Sequence, residues 1–125
     1  MLTDLQKAQE EGVAPWKEIF LDTRDYTVFV DGFPVTEGHL LFVPKTYDLE
    51  TVLKCYKAAH QIGNDNIRSE NWNGYNVGMN IGEAAGQTVM YPHIHLIPRR
   101  TGDCENPKGG VRHVIPGKGN YDAKV

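Results

Sequence analysis

The sequence predicts an α+β fold: an antiparallel sheet of about five strands, one long helix and a short N-terminal helix. Three observations carry this. Short β-branched and aromatic segments alternate with clusters of Gly, Pro, Asn and Asp. One apolar stripe recurs at helical spacing: Leu49, Val52, Leu53, Tyr56, Ala59 and His60. The crossover between His39–Val43 and Tyr75–Met79 is long enough to lay that helix over one sheet face.

Each element has a local reason. Thr3 with Gln6 resembles a capping box for the first helix, and Gly12 can end it. Pro15 and Trp16 lead into a strand near Ile19–Leu21, and Asp22 to Asp25 is a polar turn. Tyr26–Val30 and His39–Val43 read as strands, separated by the Asp31-Gly32 turn and bounded by Pro34, Gly38 and Pro44. Asp48 can cap the long helix, which is expected to run to about Glu70, with Gly63 and Asn64 weakening its middle. Tyr75–Met79 is the next strand. Ile81 to Gly86 is a glycine- and alanine-rich connection. Thr88–Ile97 is the longest strand candidate, and a short strand is expected at Val111–Ile115.

The chain has 125 residues, 40% hydrophobic and 23% charged, which is ordinary for a single globular domain. Its net charge of −3 argues against a nucleic-acid coat or a polybasic membrane binder. The charge is uneven. Residues 1–25 carry three basic and six acidic groups; residues 99–118 carry Arg99, Arg100, Lys108, Arg112 and Lys118 against Asp103 and Glu105. A basic tail on a mildly acidic protein suits a small anionic ligand. Cys55 and Cys104 form no Cys-x-x-Cys pair, the first residues are polar, and no apolar run approaches the ~20 residues of a membrane span. The expected location is the cytoplasm.

Chemistry concentrates in residues 86–99, GQTVMYPHIHLIPR. On a continuous strand Tyr91, His93 and His95 share one face, while Pro92, Ile94 and Leu96 share the other. Three readings of His-x-His stay open at this point. The pair can bind zinc with His39 as third ligand, a neutral imidazole can act as a nucleophile, or the histidines are simply hydrogen-bonded and partly buried.

The sequence resembles the histidine triad (HIT) proteins, whose signature is His-φ-His-φ-His-φ-φ, with φ apolar, after a Gly-Gln-x-Val segment. Two further blocks match, DGFPVTEGHLLFVPK (31–45) and YNVGMNIGEAAGQ (75–87), and the tail RRTGDCENPKGGVRHVIPGKGNY resembles that of bacterial HIT hydrolases. The resemblance spans most of residues 19–121. It implies a single domain over residues 1–125, with catalytic blocks at 31–45 and 75–99 and a basic, loop-rich tail at 100–125.

It also implies a mechanism. HIT proteins bind nucleotides, and the middle triad histidine, here His93, attacks the α-phosphorus. Water then releases the nucleoside monophosphate from the nucleotidyl-histidine. A backbone carbonyl is expected to hold the other ring nitrogen of His93. His95 would donate to a non-bridging phosphate oxygen, and His39 would support the nucleophile from a neighbouring strand. Asp31 matches the ribose-binding position. Asn80, Gln87 and Thr88 match phosphate-side donors, and Gly82 and Gly86 would let backbone approach phosphate. Tyr91 departs from the family, standing at the first triad position where histidine is the rule; the tuning of His93 from behind is the property this affects.

The implied substrates are dinucleoside polyphosphates or nucleoside phosphoramidates, with the tail block leaning toward polyphosphate hydrolases. No cofactor is expected, although Mg²⁺ can accompany a polyphosphate substrate. The N-terminal segment lacks the zinc-binding cysteines of some relatives, so no metal site is expected. A homodimer through the long helix and a strand is implied. His60 is expected at the core edge of the helix, and His113 has no assigned role. The alternatives are a non-catalytic nucleotide-binding module and a zinc-dependent hydrolase using His39, His93 and His95.

Overall fold

The computed structural model describes residues 1–120. The chain runs α1 (Asp4–Glu10), β1 (Ile19–Asp22), β2 (Tyr26–Val30), β3 (Leu40–Pro44), α2 (Leu49–Arg68), β4 (Gly74–Gly78) and β5 (Ile94–Arg99). The strands form one antiparallel five-stranded sheet in the order β1-β2-β3-β5-β4. This is the predicted α+β architecture.

The capping box at Thr3 is present in full, and Gly12 follows α1 with a φ of 77°. Asp48 caps α2 by accepting from the Thr51 amide at 2.8 Å. Strand alternation sorts the core into two layers. Val28, Leu40, Phe42, Ile94 and Leu96 face α2, where they meet Val52, Cys55 and Ala59. Phe29, Leu41, Val43 and Tyr91 face the other way and pack with Leu5 and Ala8 of α1. His95 pairs with Leu41 and Gly78, so it lies on the face opposite α2.

Several expectations are corrected. The last strand begins only at Ile94, so residues 88–93 are not strand and Tyr91 and His93 do not alternate with His95 along a ladder. Pro92 offers no amide there, and the preceding loop is closed on itself by Gln87. β3 begins at Leu40 rather than His39, and β4 covers 74–78. Residues 110–114 form a 3₁₀ turn, not a strand.

The apolar stripe chosen on α2 is also displaced. Thr51, Val52, Cys55, Ala58, Ala59 and Gly63 are buried, whereas Leu49 and Leu53 are 73% and 56% exposed and His60 is exposed rather than at the core edge. Small side chains face the sheet because the helix lies close to it. A Cβ at Gly63 would sit 2.6 Å from the Tyr75 ring of β4. Gly63 therefore permits the contact.

Candidate active site

The 91–95 segment positions its histidines by different means. Tyr91 turns its side chain into the α1 layer, where its hydroxyl donates to the Pro44 carbonyl at 2.6 Å. Its own carbonyl lies 2.8 Å from His93 Nδ1. A carbonyl only accepts, so Nδ1 carries the proton and Nε2 of a neutral His93 carries the lone pair. His93 is buried between the Trp16 ring at 4.8 Å and the His95 ring at 5.1 Å, measured between centroids.

His95 has the complementary tautomer. The Val35 amide donates to His39 Nδ1 at 3.1 Å, which leaves the proton of neutral His39 on Nε2. That nitrogen faces His95 Nδ1 at 2.9 Å and Asp31 Oδ2 at 3.4 Å. His95 Nδ1 accepts, so its own proton is on Nε2. Burial, together with neighbouring His93 and His39, lowers the His95 pKa to about 4. Burial also lowers the pKa of His39, opposed by the nearby Asp31 carboxylate. Both imidazoles are therefore held neutral near pH 7. In its neutral form His93 presents a lone pair at Nε2, and His95 presents an N–H donor at its own Nε2.

Asp31 is brought beside His39 but already accepts from the Phe33 amide at 2.7 Å through Oδ1. Gln87 is buried, and its amide braces the 82–90 loop. Its oxygen accepts from the Gly82 amide at 2.8 Å, and its nitrogen donates to the Val89 and Met90 carbonyls at 3.2 Å each. These bonds hold the loop in shape. Gly82 and Gly86 turn that loop at φ near 90°. Asn80 and Thr88 are exposed on it, and Asn80 lines the same cavity as His39 and His95.

Two cavities lie near the site: one borders His39 and His95, the other is lined by Trp16, whose ring packs on His93, and neither is lined by His93 itself. The first, of about 770 Å³, is lined by His39, His95, β4 and β5 residues and the tail; the second, of about 540 Å³, by Trp16, Phe29, Pro15 and Ile19. Sequence reasoning passed over Trp16, treating it as an approach to β1. Its only signal was a lone large aromatic after Pro15 in a polar stretch. Among the described residues, the side chains that could jointly hold a metal are Asp31, His39 and His95, with ligand atoms within 4.8 Å of one another. His93 is not in that group, unlike the zinc alternative drawn from sequence.

The fold and site define a small α+β domain that pairs two histidines of complementary tautomer beside a cavity. The HIT domain model matches residues 14–102, and the chain belongs to the HIT domain family. It is 32% identical over 114 residues to an uncharacterized HIT-like protein of Methanocaldococcus jannaschii, covering 82% of this chain and 84% of that one. It is 36% identical over 105 residues to the bis(5′-adenosyl)-triphosphatase of Dictyostelium discoideum, covering 74% and 69%. Among solved structures it is similar to a Zn-bound histidine triad family protein from Mycobacterium smegmatis, with a TM-score of 0.63, 34% identity, and 77% and 74% coverage.

Proposed function

We propose that this chain is a nucleotidyl hydrolase or transferase that cleaves at the α-phosphate through a nucleotidyl-His93 intermediate. The observation that carries the reading is the pair of complementary tautomers at His93 and His95. His93 Nε2 attacks the α-phosphorus, a P–N bond forms, and the bond to the leaving group breaks. Positive charge arising on the ring is met by the Tyr91 carbonyl at Nδ1–H. His95 Nε2–H donates to a non-bridging oxygen as charge builds on it. Water then attacks phosphorus, the P–N bond breaks, and the nucleoside monophosphate leaves with release of a proton.

The smaller cavity suits the base, because Trp16 and Phe29 offer aromatic faces with ring centroids 6.0 Å apart. Asp31, beside His39, is the proposed ribose ligand, and Asn80, Gln87 and Thr88 are the proposed phosphate-side donors. Dinucleoside polyphosphates and nucleoside phosphoramidates both fit this chemistry. The Dictyostelium relative's name supports the polyphosphate side. No cofactor is required in this scheme, and Mg²⁺ would serve only a polyphosphate substrate.

A homodimer is part of the proposal. β4 is an edge strand, and Leu49 and Leu53 are exposed on α2. Light scattering returning twice the 14.0 kDa chain mass is the expected result. No helix among the described residues is long and apolar enough to cross a membrane. Cys55 and Cys104 are unpaired, which supports the proposed cytoplasmic location.

The test is turnover of a fluorogenic adenosine phosphoramidate and of diadenosine tetraphosphate by chelator-treated protein, with and without Mg²⁺. His93→Ala is expected to lose turnover and the phosphorus–histidine adduct together. His95→Asn should cost about 10²–10³-fold in kcat. Nucleotide binding without turnover by the wild type would favour the non-catalytic module. Activity restored only by zinc would favour a metal site.

A further inference from the structure

Trp16 lies on a segment pinned on both sides. Before it, the Val13 and Ala14 amides donate to the Ala8 carbonyl at 2.8 and 3.1 Å, and Pro15 fixes its own φ. After it, the Val30 amide of β2 donates to the Glu18 carbonyl at 2.8 Å. The indole between these points is partly buried. It packs on the fully buried Phe29 ring, with centroids 6.0 Å apart at 35°, and on the His93 ring at 4.8 Å and 56°. The same indole lines the smaller cavity, which does not itself reach His93. Trp16 therefore stands between the proposed base site and the proposed nucleophile.

Chemistry at His93 leaves a charge to be accommodated. When the Nε2 lone pair forms the P–N bond, the electron pair of the broken bond departs with the leaving group. Nδ1 keeps its proton against the Tyr91 carbonyl at 2.8 Å, so the ring carries one positive charge. Water then cleaves the P–N bond, the pair returns to Nε2, and one proton goes to solvent. Among the described residues no carboxylate forms an ion pair with His93; Asp31 lies against His39 instead. His95 is held neutral by burial and brings no negative charge. What faces the cationic ring is one carbonyl dipole and the indole. A cation within about 6 Å of an indole centroid is attracted by the ring quadrupole, more strongly where water is excluded.

We infer that Trp16 is a positioning residue for His93, one that fixes the plane of the imidazole and stabilises the cationic nucleotidyl-imidazole, and so acts on the chemical step as well as walling the base site. The inference rests on the nucleotidyl transfer to His93 proposed above.

The first experiment follows single turnovers at saturating adenosine phosphoramidate, with acid-quenched samples in which the His93 adduct is counted. Wild type is compared with Trp16→Leu, which keeps apolar bulk without a π face, and Trp16→Phe, which keeps the face. Trp16→Leu is expected to form the adduct and turn over about tenfold more slowly at saturation, and Trp16→Phe to recover most of that loss. A loss confined to KM, or equal rates in the two variants, overturns the inference and leaves Trp16 as a wall of the base site alone. The second experiment reads the indole directly. The chain has two tryptophans, so Trp72→Phe leaves Trp16 as the one reporter. Its emission is expected to fall as the adduct count rises, quenched by the cationic ring, and to recover on hydrolysis. The same protein with His93→Ala, which can bind the nucleotide but form no adduct, should lack that phase. Identical traces from the two proteins overturn the inference, even if the Trp16 variants fail to fold. Absence of both turnover and adduct in the wild type overturns the functional proposal itself.

Discussion

Tyr91 shows how a departure from a family pattern can leave the chemistry standing. What orients His93 is the backbone carbonyl of residue 91, which any amino acid supplies, while the phenol points away to Pro44. Burial raises the Tyr91 pKa, so the hydroxyl stays protonated and remains a donor. Tyr91→Phe should therefore retain turnover and the His93 adduct. It should lose about 1–3 kcal/mol of stability, because the Pro44 carbonyl is left without that donor, and urea unfolding reads the loss. The same scale shows what sequence could and could not supply. His39, His93 and His95 stood out as histidines near predicted strands, and the structure brings their rings together. The loop-bracing bonds of Gln87 and the packing of Trp16 on His93 are not legible in sequence, because a glutamine that braces its own loop and a tryptophan that packs on a distant histidine look like any others in one dimension.

At the scale of elements, local signals placed the helix caps and β2 well. A cap or a turn is decided by neighbours in sequence, as at Thr3, Asp48 and the Thr23–Tyr26 turn. The failures fell where packing decides. Residues 88–93 have strand composition, but Pro92 and the Gln87-braced loop keep them off the ladder. On α2, Leu49 and Leu53 of the predicted stripe stay exposed; the sheet keeps Val52 and Ala59 from it and adds Cys55, Ala58 and Gly63. Gly63→Ala is a direct check. Helix propensity alone predicts a gain of about 1 kcal/mol, but displacing the Tyr75 ring is expected to cost about 1–3 kcal/mol. Net destabilisation in a thermal melt, relieved by Tyr75→Ala in the same chain, is the expected outcome.

For the whole molecule, the neutral histidine cluster couples stability to pH. The folded pKa of His95 is about 4, against an unfolded value of about 6.5. Between those values the unfolded chain binds more protons, so stability falls as pH falls. The contribution is complete above about pH 6.5 and lost by about pH 4. His39 is shifted the same way and adds to it. The loss associated with Asp103, whose pKa is also lowered, belongs below the ordinary carboxylate range near pH 4. The denaturation midpoint is therefore expected to drop between pH 7 and pH 4.5, and to drop less in His95→Gln. An equal drop in both proteins would show that His95 is not buried as a neutral ring.

Order along the chain determined the secondary-structure class, the caps, and the blocks that identify the family. These depend on backbone propensity, hydrophobic period and short-range hydrogen bonds, all of which act between near neighbours in sequence. Only the tertiary structure decided which ring nitrogens carry protons, because that follows from a carbonyl two residues away and an imidazole 56 residues away. It likewise decided that the tail walls the cavity beside its own histidines and that Arg99 is spent on Asp103. A charge count sees a basic tail; only folding shows which of those charges are already matched.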